Sequence, residues 1–287
     1  MLSMWHYEDH IHAVDAAYVR PQLAAIHLIV ENGRVAVIDT GSRDALPPTL
    51  AALSQLGLTV DDVDYVILTH IHLDHAGGAG LMMQTFRQAQ LVVHPRGAAH
   101  MVDPTKLIAG VIAVYGEETY RRLYGEILPI DAQRIIRVAD GQTISLAGRE
   151  LQCIDTPGHA RHHLAIVDPR SRSVFTGDIF GMSYRELDSD GRQFLFPTTS
   201  PVQFDPPAMH ASIDRVLACR PQAVYLTHFS QLVDVERQGA HLHRLVDAHV
   251  AIAERERHAG AARHQRLHAA LSALLLAEIR AHGCPLP

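Results

Sequence analysis

The amino-acid sequence predicts a mixed α/β (α+β) fold in one domain, and three observations predict it. Short apolar runs alternate with stretches of helical spacing along the first half of the chain, the pattern of layered sheets and helices. Asn-Gly, Asp-Gly and Ala-Gly pairs punctuate the runs as turns. No repeat, low-complexity tract or linker divides the 287 residues, so the domain is expected to span 1–287.

The elements follow in order. Apolar runs at 25–30 and 35–38, separated by Glu31-Asn32-Gly33-Arg34, read as a β-hairpin. Residues 46–56, entered through Pro47 and Pro48, have helical spacing. Strands are expected at 63–68 and 91–93, with a helix between Gly78 and Ala89. The segment 94–129 keeps its apolar residues at helical spacing, among them Ile108, Val111, Ile112, Tyr120 and Tyr124. It reads as an inserted helical pair (about 96–128) broken near Gly116. Strands resume at 135–138, 143–146, 151–154, 164–167 and 174–175. A helix at 209–218 leads to a last strand at 223–226, and a C-terminal helical extension, about 236–283, breaks near Gly260.

Composition bounds the function. Apolar residues make up 47% and charged residues 20%, the profile of a globular chain and not a disordered one. The net charge is 25 − 31 = −6, with no basic stripe for phosphates, so no nucleic-acid partner is expected. The N-terminus lacks the cationic and apolar segments of a signal peptide. No run reaches the roughly 18 to 20 apolar residues that cross a bilayer, so no membrane partner is expected. Three cysteines at wide spacing, Cys153, Cys219 and Cys284, suggest reduced thiols and a cytoplasmic location.

Histidine is the unusual quantity, at 21. The telling ones stand at strand ends. The stretch THIHLDHAGG, residues 69–78, sets His70, His72, Asp74 and His75 directly after an apolar strand. His70 and His72 are two apart, so extended backbone would point both rings the same way. Gly77 and Gly78 permit a close approach behind them. Neutral imidazole and carboxylate are natural ligands of zinc, iron or manganese. Three more pieces follow strands: Thr156-Pro157-Gly158-His159, Thr176-Gly177-Asp178 and Thr227-His228.

These motifs resemble those of the metallo-β-lactamase fold hydrolases. THIHLDH is similar to the family's signature; Asp39 in VIDTG, His159 in TPGH, Asp178 in TGD and His228 in THF match its other four motifs in order. The resemblance covers about residues 25–230. It implies a four-layer αββα sandwich with metals at one edge. It assigns His70, His72 and His159 to one ion, Asp74, His75 and His228 to a second, and Asp178 to both. Asp39 resembles the carboxylate that positions the ligand loop, and His163 a non-ligand histidine of thioester-cleaving members. Two divalent cations, zinc first and iron or manganese as alternatives, are the implied cofactors. Held about 3.5 to 4 Å apart, such a pair can share a hydroxide and polarise a substrate oxygen.

Fold alone is a poor guide to reaction. β-Lactamases of the commonest type carry Cys at the position of Asp178, which argues against antibiotic hydrolysis. Family nucleases add a large domain or an RNA-binding arm, and flavodiiron enzymes a flavin domain; no residues remain here for either. The expectation is a hydrolase that cleaves an ester-like bond of a small molecule, thioester or lactone before phosphodiester. An iron-dependent oxidoreductase and a ligand-sensing protein of low turnover are the alternatives. Asp74 and Asp178 are expected to be catalytic. Tyr184 is the candidate donor to a developing oxyanion, and Arg161 or Arg185 the candidate holder of a substrate carboxylate. The insertion and residues 180–185 are expected to roof the site. The C-terminal helices either cover the domain, close the pocket or form a homodimer contact.

Overall fold

The computed structural model describes residues 3–199 and 202–284. Seven strands form the first sheet in chain order: β1 (Met4–His6), β2 (Ile11–Asp15), β3 (Ala25–Glu31), β4 (Arg34–Ile38), β5 (Val63–Ile67), β6 (Gln90–Val93) and β7 (Ile135–Arg137). The first four are antiparallel and the last three join in parallel. The second sheet holds β8 (Thr143–Leu146), β9 (Arg149–Asp155), β10 (Leu164–Asp168), β11 (Ser173–Gly177), β12 (Ala223–Leu226) and β13 (Ser230–Leu232). Its order is β13-β12-β11-β10-β9-β8, with only β11 and β12 parallel.

Side-chain alternation builds the layers. On β4, Ala36 and Ile38 face the second sheet and meet Cys153, Leu164, Ile166 and Phe175. Val35 and Val37 face the other way, onto α1 (Leu46–Gln55), α2 (Leu73–Ala76), α3 (Ala79–Thr85) and α4 (Pro95–Val102). A strand buried on both faces needs apolar residues on both, and β4 has them without a break from Val35 to Ile38. Beyond the second sheet, Ile154, Val174 and Val224 pack against α7 (Pro206–Ala218) and α8 (Val235–Arg255). The result is helix, sheet, sheet, helix: the expected αββα sandwich.

Several local expectations change. The insertion holds three helices and not a pair: α4, then α5 (Thr105–Tyr115) and α6 (Glu117–Leu123). The break at Gly116 is there, with φ +81°. The first break is at Asp103-Pro104, because a proline disfavours helical backbone in the residue before it. Strands β1, β2 and β13 carry no expectation above. Histidine and aspartate in β1 and β2 mask their alternation, although β2 is almost wholly buried. The C-terminal helices part company: α8 buries Leu242, Leu245, Val246 and Ile252, whereas α9 (Arg263–His282) buries no residue.

Candidate metal centre

The strand ends do the positioning. β4 ends into Asp39, β5 into residues 68–72, β9 into Thr156–His159, β11 into Asp178 and β12 into Thr227 and His228. All open on the same edge of the sandwich. His70 and His72 leave the strand before they act, and Asp74 and His75 stand on the single turn of α2. The backbone must press close here. A Cβ at Gly78 would lie 2.7 Å from the carbonyls of Thr40 and Ser42, and one at Gly177 (φ +49°) would lie 2.6 Å from the Thr69 hydroxyl.

Seven side chains converge. His72 Nδ1 lies 2.9 Å from His70 Nε2 and 3.0 Å from His159 Nε2. His75 Nε2 stands 3.2 Å from Asp178 Oδ1, and His159 Nε2 stands 3.3 Å from Asp178 Oδ2. His228 Nε2 is 3.4 Å from Asp74 Oδ2 and 3.6 Å from Asp178 Oδ1. Three overlapping groups, His70-His72-His159, His70-His75-Asp178 and Asp74-His75-His228, each have their donor atoms within 4.8 Å of one another.

The surrounding hydrogen bonds fix which nitrogen of each ring faces inward. Asp39 is the centre of this layer. Its carboxylate accepts from the Thr69 backbone N–H (2.8 Å) and hydroxyl, from His75 Nδ1 (2.8 Å) and from the Thr227 hydroxyl (2.8 Å). His228 Nδ1 donates to the Leu23 carbonyl at 2.7 Å, and His159 Nδ1 to the Thr198 carbonyl at 3.3 Å. Those bonds turn Nε2 of His75, His159 and His228 toward the common centre. His163 lies behind the ligands. Its Nδ1 meets the Thr156 hydroxyl at 2.8 Å, and its Nε2 accepts the Asp178 backbone N–H at 3.2 Å. It steadies the Asp178 turn and does not line the cavity.

The residues fit bound metal cations. Nε2 of His75 and Oδ1 of Asp178 are fully buried, face each other at 3.2 Å without hydrogen-bond geometry and have no other partner, an arrangement that costs roughly 1 to 3 kcal/mol per group if nothing else satisfies them. Two imidazole nitrogens, His70 Nε2 and His159 Nε2, also crowd His72 Nδ1, which can carry at most one proton. Ligands of a tetrahedral zinc, with bonds of about 2.0 to 2.1 Å, would be at comparable separations. Burial, neighbouring imidazoles and three carboxylates set the electrostatics. Burial, reinforced by neighbouring imidazoles, holds His70 well below the ordinary histidine range and brings His72 down to about 3. Burial also works against charge on His75, but Asp178, Asp74 and Asp39 outweigh it and hold its proton well above that range. Burial opposes ionisation of Asp178 too; His75, His159 and His228 prevail and keep it a carboxylate.

A cavity of about 550 Å³ opens over this floor. Its roof is the insertion, through Leu107, Gly110, Val111 and Val114 on one face of α5. Tyr184 lines the wall, with its hydroxyl 3.5 Å from the Met182 sulfur and its ring under the Arg20 guanidinium. Arg185 and Arg161 are elsewhere. Arg185 donates to the Ser183 carbonyl and pairs with Asp188. Arg161 lines a separate cleft beside His94 and Asp155. Neither is placed to hold a substrate carboxylate over the metal centre.

Among the cavity residues that carry no expectation above as site residues are Tyr18, Lys106, Tyr124 and His162. Tyr18 and Tyr124 share a hydroxyl–hydroxyl bond of 2.8 Å across 106 residues of sequence. The His162 ring stacks on His70 and sits 5.6 Å from His72. Only the HARHH run around His162 hinted at a role.

An αββα sandwich whose strand ends gather five histidines and two aspartates defines a metal-binding α/β protein. The chain belongs to the metallo-beta-lactamase superfamily, whose profile matches residues 19–228. A metallo-beta-lactamase fold-containing protein of Sulfurisphaera tokodaii is 28% identical over 242 residues, 82% of this chain and 84% of that one. A hydroxyacylglutathione hydrolase of Rhodopseudomonas palustris is 29% identical over 168 residues, 58% of this chain and half the length of that enzyme. Among solved structures, an archaeal superfamily member from Sulfolobus tokodaii superposes with a TM-score of 0.67 at 27% identity, covering 82% of this chain and 85% of its own.

Proposed function

We propose that the chain is a metal-dependent hydrolase that holds two divalent cations and cleaves an ester-like bond of a small molecule, a thioester or lactone before a phosphodiester. The observation that carries this reading is the convergence of seven donor side chains in overlapping groups, with His75 Nε2 and Asp178 Oδ1 buried at their seam and lacking any well-formed hydrogen bond. His70, His72 and His159 would hold one cation, Asp74, His75 and His228 the other, and Asp178 would reach both. When bound, such a pair supplies water activation near neutral pH and polarises the scissile carbonyl.

The side chains of this chain supply the rest. Asp74 keeps 26% of its side chain exposed on the cavity floor while His75 and Asp178 are buried. It is the carboxylate placed to take a proton from an attacking water and return it to the leaving group. Tyr18 and Tyr124 have two hydroxyl protons between them and spend one on each other, so one phenolic O–H is left to donate into the cavity. Tyr184 lies across from them as a second donor. The apolar face of α5 borders the cavity above the floor and offers a surface for an apolar part of the substrate.

The test is metal content and turnover on one sample. Purified protein, stripped with chelator and reloaded with zinc, iron or manganese, is assayed on thioesters, lactones and phosphodiesters, with oxygen uptake followed on thiols. The expected result is hydrolysis that vanishes on stripping and returns with metal, without oxygen consumption. Full activity after stripping, or oxygen uptake in place of hydrolysis, contradicts the proposal.

A further inference from the structure

Of 25 basic residues, 24 are arginine and one is lysine, Lys106. That single lysine stands in the first turn of α5, and its side chain lines the cavity above the metal centre. Among the described residues it is the only lysine or arginine on that wall. The cavity's carboxylates are Asp74 and Asp178, both turned to the metal centre. Arginines near the cavity are taken: Arg20 pairs with Glu186 at 2.6 Å and Arg185 with Asp188. Lys106 makes no ion pair or hydrogen bond with a described residue. The acid closest to it in sequence, Asp103, makes no ion pair with Lys106 and accepts from the Thr105 hydroxyl and backbone, at 2.6 and 3.1 Å. Those bonds, helped by the nearby Lys106 charge, hold the Asp103 carboxyl below the usual range.

The surroundings of that cation have a direction. Along the cavity face of α5, Lys106 is followed by Leu107, Gly110, Val111 and Val114. A Cβ placed on Gly110 would meet nothing within 4 Å, so the middle of this face is open. The far end of the helix, at Tyr115, approaches the Tyr18–Tyr124 pair. One end of the roof thus offers a mobile point charge, the middle an apolar channel, and the other end phenols. In a chain with a net charge of −6, a lone unpaired cation over a site selects for a negative group at that place.

Resting on the hydrolase reading above, we propose that the substrate's acyl part carries its own anionic group, a carboxylate, which Lys106 holds while an apolar spacer of a few carbons lies along α5. Substrates with a neutral acyl end lack that anchor. The flexible lysine stem suits a single small anion at variable reach, where an arginine fork would demand fixed planar geometry.

Because the chain offers one ε-amine, the anchor can be read directly. Metal-loaded protein is acetylated with sulfo-N-hydroxysuccinimide acetate and Lys106 is followed by mass spectrometry, with the N-terminal amine as internal control. Adipate is expected to slow acetylation of Lys106 about fivefold, while hexanoate at the same concentration leaves it unchanged. Equal protection by the two, or protection by neither, overturns the proposal. In parallel, adipoyl thioester is expected to exceed hexanoyl thioester in kcat/KM by about fivefold, a preference lost in Lys106→Met and inverted in Lys106→Glu. Equal preference in wild type and Lys106→Met also overturns it. Selective protection without turnover of either thioester keeps the anion site and removes the hydrolase reading. Turnover without preference or protection does the opposite.

Discussion

The floor and the roof of the cavity are built on opposite terms. On the floor, His70, His75 and His159 are 3% exposed or less, and each is held by a hydrogen bond: His70 with Thr69 after β5, His75 with Asp39 after β4, and His159 with Thr198 in the loop before α7. In the roof, α5 buries none of its 11 residues, and Val114 and Tyr115 are more than half exposed. Tight packing and interlocked hydrogen bonds fix an arrangement to fractions of an ångström. A helix of half-buried side chains tolerates exchange and movement. On the proposed function the contrast separates two tasks, with chemistry set by the sandwich and choice of substrate by the insertion laid over it.

The sharpest way to break this contrast is at the floor. Asp178→Ala removes the carboxylate between the two donor groups. It is expected to lower kcat about a thousandfold or more and to reduce metal content, with the fold kept by circular dichroism. Retained activity would show that the floor is not the reacting centre.

A second test lies just beneath. His27 is fully buried between the sheets, beside Phe175 and Tyr225, and burial pushes its pKa down from 6.5 to about 4. The unfolded chain therefore binds a proton that the folded chain refuses between those two values. Stability from this group is complete above pH 6.5 and falls as pH drops toward 4, by about 3 kcal/mol in all. Urea denaturation across that window should show the slope in wild type and a flatter one in His27→Gln. Parallel slopes would mean that other histidines carry the acid limb.

Asp39→Ala acts one layer behind the ligands. His75 Nδ1 and the Thr69 and Thr227 hydroxyls lose their acceptor, and metal affinity is expected to fall roughly 10- to 100-fold. Competition with a chromophoric chelator measures it. Unchanged affinity would mean that His75 is held by packing alone.

The roof should respond in a different currency. Gly110→Leu fills open space on the cavity face of α5 and places no Cβ against a neighbour. It should cut kcat/KM for bulky acyl substrates about tenfold, spare small ones, and leave stability within about 0.5 kcal/mol. A fall for every substrate alike would tie the roof to the chemistry and erase the distinction.

The same division decided what could be read from sequence. Floor residues come in short motifs after apolar strands, so His70, His72, Asp74, His75, His159, Asp178 and His228 were visible before any fold was drawn. Roof residues meet only through long loops. Tyr18 and Tyr124 bond across 106 positions, and no local pattern announces such a pair. Arg161 and Arg185 illustrate the converse: charge near a motif suggested an anion holder, but Ser183, Asp188 and a separate cleft claim them. Strands β1 and β2 were hidden by polar residues that pair with each other, as His6 and His12 do at 2.9 Å.

One measurement bears most directly on the centre itself. Protein stripped of metal is titrated with zinc in weakly buffered solution at neutral pH, with bound metal and released protons recorded together. Carboxylates hold a proton on His75 in the stripped chain, and a cation must displace it. The account predicts saturation at two equivalents per chain, with proton release. Saturation at one equivalent or none, or binding unchanged in Asp178→Ala, would contradict it.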